Sequence, residues 1–201
     1  MSDNYIENYF NCVNQICKKI SKDSLAKMIK IIKDIKDNNG RIFFLGVGGS
    51  AGNASHAVND FRKILGVECY APTDNISELT ARVNDEGWDT VFSEWLKVSN
   101  LSYNDLVFIF SVGGGDLEKK VSTNIVEALK YAKKVKSKIV GVVGRNGGYT
   151  AKVADQTLII PTVDANLVTP LSESFQALIW HLIVSSPDLA GKSTKWESID
   201  K

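Results

Sequence analysis

The sequence contains few of the residues that staple small secreted proteins or mark membrane spans. Its only cysteines are Cys12, Cys17 and Cys69, an odd number at spacings that fit neither a disulfide framework nor a zinc knuckle. No apolar stretch approaches the roughly 18 residues of a transmembrane helix. The first ten residues, MSDNYIENYF, lack the apolar run of a signal peptide. We therefore expect a protein of the reducing cytoplasm that has no membrane partner.

An excess of charge of either sign is also missing. Lys and Arg total 24 and Asp and Glu total 23, which gives a net charge of +1. This balance argues against nucleic acid as a partner, because phosphate backbones select strongly basic surfaces. Hydrophobic residues make up 44% of the 201 positions, and a chain of this length can bury a core without disulfides or a structural metal. The composition predicts a folded globular domain.

The first forty residues predict a pair of amphipathic helices. Apolar residues recur at three- and four-residue steps from Ile6 to Ile20 and again from Leu25 to Ile35, behind a possible N-cap at Ser24. Asn38-Asn39-Gly40 predicts the end of the second helix. We interpret residues 1–40 as a helical arm that packs on the core or on a neighbouring subunit, since both alternatives bury the apolar stripe.

From residue 41 onward, short apolar segments alternate with helical patterns. Five segments have the uniform apolarity of strands buried on both faces, and they lie at 41–46, 67–70, 106–110, 139–143 and 157–160. Helical patterns separate them near 52–65, 89–98, 122–136 and 171–185. This alternation predicts an α/β domain over residues 41–201, a doubly wound, five-stranded parallel sheet of the flavodoxin-like kind.

Two glycine-rich segments follow predicted strands. Gly46-Val-Gly-Gly-Ser50 precedes a helix, and Ser111-Val-Gly-Gly-Gly115 follows the third strand. Ligands of such folds bind beyond the carboxyl ends of the strands, and glycine lets backbone N–H groups approach an anion closely. A single loop of this kind is as often only a tight turn, but two at successive strand ends favour a phosphorylated small molecule. Asn84-Asp85 is expected in a loop, where it could recognise sugar hydroxyls or simply form a turn.

The chain has only two histidines, and each has an acidic residue nearby in the sequence. His56 and Asp60 share a helix face, and imidazole and carboxylate are both ligands of divalent metals such as zinc. A solvent-bridged pair is the alternative. His181 follows Glu173 by eight residues, a rise of about 12 Å on an unbroken helix. The two side chains therefore cannot comfortably hold one ion from the same straight helix. Either Glu173 precedes the regular helix or the two residues serve sites in different subunits; alternatively, His181 is a core histidine beside Trp180.

Together these motifs resemble the sugar isomerase (SIS) domain, and within it the phosphoheptose isomerases, over nearly the whole chain. The resemblance is carried by Gly46–Ser50 with His56 and Asp60, Asn84-Asp85, the Ser111 loop, Gly144–Gly148 and the helix from Glu173 to His181. It implies conversion of sedoheptulose 7-phosphate, a phosphorylated seven-carbon sugar, to glycero-manno-heptose 7-phosphate. It also implies a homotetramer with shared active sites, supplying heptose for lipopolysaccharide or capsule.

The resemblance assigns roles to individual residues. A zinc ion, or another divalent metal, would be held by His56, Asp60, Glu173 and His181. Catalysis would fall to Asp60, Glu173 and His181. Substrate binding is expected from Gly48, Gly49, Ser50, Asn84, Asp85, Ser111, Gly113, Gly114, Ser122 and Glu173.

Several positions depart from the family pattern. Val47 replaces an asparagine, Asp60 a glutamate and Glu173 a glutamine, and a longer segment from Ser111 to Ser122 replaces a phosphate loop rich in hydroxyls. The acidic swap at Glu173 places a negative charge where the family has an amide, and it could supply a second base. The alternative function is a non-catalytic SIS protein that binds a sugar phosphate or a replication initiator.

Overall fold

A five-stranded parallel sheet forms the centre of the molecule. The structure, a computed structural model, describes residues 2–189 and 191–199. The strands are β1 (Ile42–Leu45), β2 (Cys69–Tyr70), β3 (Leu106–Ser111), β4 (Lys138–Val143) and β5 (Gln156–Ile159). Their order is β2-β1-β3-β4-β5, and every neighbouring pair is parallel. This is the order of the doubly wound, flavodoxin-like arrangement, so the predicted fold class is confirmed.

Within the residues that the structure describes, eight α-helices surround the sheet. They are α1 (Ser2–Lys19), α2 (Lys22–Asp37), α3 (Gly49–Asp60), α4 (Ile76–Asp85), α5 (Val91–Val98), α6 (Thr123–Lys134), α7 (Gly148–Val153) and α8 (Val168–Val184). A π-helical turn, Phe61–Leu65, extends α3. No helix in the described ranges is both long and apolar enough to cross a bilayer.

Alternating side chains of the strands build a core on each face of the sheet. Phe44, Phe108 and Phe110 point to one face. The rings of Phe44 and Phe108 pack with Phe61 at centroid distances of 5.0 and 6.4 Å, and the ring of Phe110 lies 5.9 Å from that of Phe44. Phe43 and its neighbours fill the other face with α5 and α6. Burial on both sides explains why the strands are apolar throughout rather than alternating in polarity.

The two N-terminal helices bury their apolar stripes unequally. In α2, Met28, Ile32 and Ile35 are buried, and this helix packs on β5. The N-cap of α2 is Ser21, whose hydroxyl accepts from the Ser24 amide, so the prediction of Ser24 as the cap is wrong. In α1, Cys12 and Ile16 are buried, whereas Tyr5, Ile6 and Phe10 are exposed in the single chain.

Candidate functional site

Three of the four predicted metal ligands come together on the parallel pair α3 and α8. One ligand atom from each of His56, Asp60 and His181 lies within 4.8 Å of the other two. His181 Nε2 and Asp60 Oδ2 are 3.9 Å apart, too far for a hydrogen bond but within the span of two ligands that each lie about 2 Å from one ion. The i, i+4 spacing of His56 and Asp60 explains why one helix supplies two of these groups.

The remaining polar atoms of these side chains have orienting partners. His181 Nδ1 lies 2.8 Å from the Ala177 carbonyl, which can only accept, so Nδ1 carries the proton and Nε2 is left as a lone-pair donor. Asn59 donates to Asp60 Oδ1 at 2.7 Å and leaves Oδ2 for the cluster. Ligands of protein-bound metals are oriented in this way. The residues fit a divalent ion with an open position for substrate.

Trp180 forms the wall behind the two imidazoles. Its indole is fully buried and stacks on His181, with ring centroids 3.5 Å apart, and it lies 4.6 Å from the ring of His56. His181 itself points outward, since its side chain is 54% exposed. His181 is therefore a surface histidine that stacks on a buried indole, and the alternative of a core histidine is wrong.

Glu173 does not join this cluster within one chain. It lies inside the regular helix α8, so it cannot reach the cluster by preceding that helix. Its carboxylate lies instead against the first residue of α3, where a Cβ built on Gly49 would be 2.4 Å from Glu173 Oε2. The Glu173 backbone carbonyl accepts from Asn53 Nδ2, which fixes α8 against α3 at this point. The four predicted ligands thus form a group of three and a separate carboxylate.

The first glycine loop lies at the carboxyl end of β1, as expected for a ligand loop. Gly48 has a φ of 64°, a left-handed conformation that favours glycine, and α3 begins at Gly49. Ser50 is buried, and its hydroxyl has no protein partner within the described residues. His56 is seven residues beyond Gly49, about 10 Å along the helix axis. His56 therefore lies about two helical turns from this loop.

The second glycine loop is locked against the start of α7. The Gly114 and Gly115 carbonyls accept from the Thr150 and Tyr149 amides at 2.9 and 2.8 Å. The Gly114 amide in turn donates to Ser111 Oγ at 3.0 Å. Gly113 stays half-buried at the edge of the loop. Gly114 and Gly115 therefore serve close packing, whereas Ser111 and Gly113 lie at the carboxyl end of β3.

The other predicted substrate residues lie at helix ends. Ser122 is the N-cap of α6, in a left-handed conformation with a φ of 50°. Asn84 and Asp85 form the last turn of α4, both exposed, and Asn84 donates to Asp85 at 2.7 Å. The prediction that this pair lies in a loop is wrong, because the chain from Ile76 to Asp85 is helical.

A cleft of about 580 Å³ opens beside the cluster of His56, Asp60 and His181. Asp60 and His181 line one side of it, and residues after α8, including Lys192 and Thr194, line the other. This volume is in the range of small-molecule sites. Sequence reasoning missed this wall, and it also missed Asn59 as a partner of Asp60, although a polar residue adjacent to a candidate ligand was a visible signal.

The family model for the SIS domain matches residues 5–144. The chain belongs to the SIS-domain family. It is also 32% identical to the phosphoheptose isomerase of Aliarcobacter butzleri over 81% of this chain and 82% of that protein. The predicted resemblance is therefore confirmed.

Two further SIS-domain comparisons extend this result. The lincomycin biosynthesis protein LmbN of Streptomyces lincolnensis is 28% identical over 89% of this chain, which spans 66% of that protein's length. The solved phosphoheptose isomerase GmhA from Neisseria gonorrhoeae superimposes with a TM-score of 0.78 over 91% of this chain and 96% of that one. At 24% identity, this second likeness establishes the shared fold.

Proposed function

We propose that this SIS-domain protein is a cytoplasmic sugar-phosphate isomerase that interconverts sedoheptulose 7-phosphate and glycero-manno-heptose 7-phosphate. The observation that carries the proposal is the convergence of His56, Asp60 and His181 beside a cleft, in a chain similar to phosphoheptose isomerases. The product is a heptose phosphate suited to surface glycans, either lipopolysaccharide or capsule.

The cluster supplies what an aldose–ketose isomerisation needs at the carbonyl. His56, Asp60 and His181 would hold a divalent ion such as zinc, which would polarise a carbonyl oxygen and stabilise negative charge on it. Asn59 and the Ala177 carbonyl orient the Asp60 and His181 side chains. In a state without the ion, His181 Nε2 can also accept a proton from a sugar hydroxyl.

The proton on carbon needs a base that is not already engaged. Asp60 has one oxygen hydrogen-bonded by Asn59 and the other directed at His181, whereas the Glu173 carboxylate has no hydrogen-bond donor among the described residues. We therefore assign to Glu173 the role of the base that removes the proton from carbon. Because Glu173 lies by Gly49, at least about 10 Å along α3 from the cluster, it would serve a cluster on a neighbouring subunit.

An assembly that shares sites in this way fits the surface of the chain. The exposed side chains of Tyr5, Ile6 and Phe10 on α1, and of Leu178 and Leu182 next to His181 on α8, are apolar groups suited to subunit contacts. We propose a homotetramer, whose mass would be about 88 kDa, four times 22.1 kDa, by light scattering.

The reaction is tested by following sedoheptulose 7-phosphate by NMR, with metal content measured on the same samples. His181→Ala and Asp60→Asn should each lose bound metal and at least about a hundredfold in kcat. Asp23→Asn, an equal charge change on the exposed side of α2, should match the wild type. Full isomerase activity in His181→Ala would refute the assignment, and a wild-type protein without activity or metal would favour a non-catalytic sugar-phosphate-binding role.

Site sharing is tested by mixing two inactive variants. If Glu173 of one subunit serves the cluster of another, His181→Ala and Glu173→Ala chains unfolded and refolded together should regain about a quarter of wild-type activity, because a quarter of the sites receive both native groups. Absence of any recovery, with hybrid oligomers shown by mass spectrometry, would place both groups in one chain's site.

A further inference from the structure

The first glycine loop carries a negative charge of its own. The Glu173 carboxylate lies over Gly49, at the amino end of α3, where both its oxygens come within 2.8 Å of a Cβ built on that residue. This is the position that a helix N-terminus would otherwise offer to an anion. A phosphate dianion placed there would be repelled by the carboxylate. The phosphate end of the substrate is therefore expected elsewhere along the carboxyl edge of the sheet.

The second glycine loop is the nearest alternative, since β3 lies directly beside β1 in the sheet. This loop is held rigidly by its hydrogen bonds to α7, and Thr150 Oγ1 adds a further bond to the Gly114 carbonyl at 2.8 Å. Its Gly114 amide is already used by Ser111. The loop thus provides a fixed wall, and a cation beside it would neutralise the charge of a bound phosphate dianion.

Arg145 supplies that cation. It follows β4, and its side chain runs along the glycine loop, with Cδ 3.9 Å from a Cβ built on Gly113. The other three arginines of the chain have acceptors: Arg41 binds Asp105, Arg62 the Cys69 carbonyl, and Arg82 two glutamates. Within residues 2–189 and 191–199, Arg145 has no ion pair and no hydrogen-bond acceptor, and it is exposed.

The backbone of Arg145 also points to a role. Its φ is 52°, in the left-handed region that costs a side-chain-bearing residue about 1–2 kcal/mol. Glycine would avoid that cost, and strain of this kind concentrates at functional sites. Gly144, Gly147 and Gly148 in the same segment show that it readily takes glycine. Lys120 and Lys136 have a similar φ, so what distinguishes Arg145 is the combination of this backbone with a guanidinium side chain beside the glycine loop.

We propose that Arg145 binds the phosphate group of the sugar substrate, across the loop formed by Ser111 and Gly113. The guanidinium fork matches two phosphate oxygens, and it replaces the hydroxyl groups that this chain lacks in the loop. The inference deepens the proposed function and rests on it for the identity of the sugar, but the phosphate contact itself is independent of the reaction.

Kinetics of three variants test the contact. Arg145→Gln should raise KM for sedoheptulose 7-phosphate by about 10- to 100-fold and leave kcat within about threefold, because the lost bonds are present in ground and transition states alike. Arg145→Lys should lie between, since it keeps the charge without the fork. Lys136→Gln is the matched control, because it removes an exposed cation that also has a positive φ but precedes β4, at the opposite edge of the sheet; it should not change KM.

Two further measurements separate this inference from folding defects and from the proposed function. Arg145→Gly should melt no lower than the wild type, because glycine relieves the positive φ, and yet show the same loss of affinity. Titration with inorganic phosphate by calorimetry should show binding that Arg145→Gln weakens at least about tenfold, even if the wild type proves not to isomerise the sugar. An unchanged phosphate affinity and KM in Arg145→Gln, or an equal loss in Lys136→Gln, would overturn the proposal.

Discussion

In this SIS-domain protein, the position of the Glu173 carboxylate depends on the absence of a side chain at Gly49. Gly49 lacks a Cβ, and that space is taken by the Glu173 carboxylate, whose Oε2 would be 2.4 Å from the missing atom. Glu173 therefore depends on Gly49 for its position although the two are far apart in sequence. Whatever Glu173 contributes to the reaction, the glycine is a condition for it.

Gly49→Ala should consequently separate folding from activity. The added methyl overlaps only the end of a flexible side chain, and alanine is the better helix former, so the free energy of unfolding should change by no more than about 1 kcal/mol. The Glu173 carboxylate must move, so kcat should fall at least about tenfold, toward that of Glu173→Ala. Urea unfolding and NMR assays on both variants measure this. A fully active Gly49→Ala beside an inactive Glu173→Ala would contradict it.

At the scale of elements, two glycine turns fix the loop after β3 to the loop after β4. A Cβ on Gly114 would lie 2.0 Å from the Gly147 carbonyl oxygen, and a Cβ on Gly148 would lie 2.2 Å from that of Gly113. Both contacts involve backbone, which cannot swing aside. Ser111 and Arg145 lie where β3 and β4 lead into these loops, so the close approach of the loops sets the distance between these two residues.

Gly114→Ala should therefore destabilise the protein strongly. Its φ of 73° is unfavourable for alanine by about 1–2 kcal/mol, and the backbone overlap adds to this, so we expect a loss of at least about 2 kcal/mol in the free energy of unfolding. Gly52→Ala is the matched control, because that exposed glycine in α3 has no atom within 4 Å of its Cβ position. The control should gain about 0.5–1 kcal/mol. Equal effects of the two substitutions in urea unfolding would be inconsistent with this account.

The elements that the sequence failed to predict share a physical reason. Helix α4 is only ten residues long and has no fully buried residue, although Leu79 and Val83 pack partly against the core. Its remaining support is polar, since Arg82 pairs with Glu78 and Glu86 one turn away on each side. So short and weakly buried a helix is hard to recognise in the sequence, which is why the sequence predicts a loop at Asn84. The strands were predictable because each buries both faces, which leaves an unambiguous apolar run.

In the candidate site, too, one part could be predicted from the sequence and another part depends on the packing of helices. The pairing of His56 with Asp60 follows from helical periodicity alone, and it is present in the structure. The addition of His181 depends on how α8 packs along α3, and the separation of Glu173 follows from the length of the same helix. Sequence spacing leaves both possibilities for Glu173 open, and the start of α8 at Val168 excludes one of them.

At the scale of the whole molecule, one buried residue, Asp105, joins the amino ends of three strands. Asp105 accepts from the Arg41 amide and guanidinium before β1 and from both donors of Ser102, and its own carbonyl accepts from the Lys138 amide at the start of β4. Burial alone would raise the pKa of Asp105. The hydrogen bonds from Arg41 and Ser102 outweigh that effect and hold the pKa below its usual range.

This carboxylate should dominate the response of stability to acid. Because its pKa is lower in the folded chain than in the unfolded one, where it is about 3.9, its contribution is complete above about pH 5 and is lost as the pH falls through the folded value. Asp105→Asn leaves the guanidinium without its charge partner and should cost about 3–5 kcal/mol at pH 7. The difference from wild type, measured by urea unfolding, should then shrink between pH 5 and pH 3. Asp23→Asn, on an exposed pair, should change stability by no more than about 0.5 kcal/mol at pH 7. A pH-independent gap between wild type and Asp105→Asn would mean that the carboxylate does not titrate with folding, and that shape rather than charge makes Asp105 important.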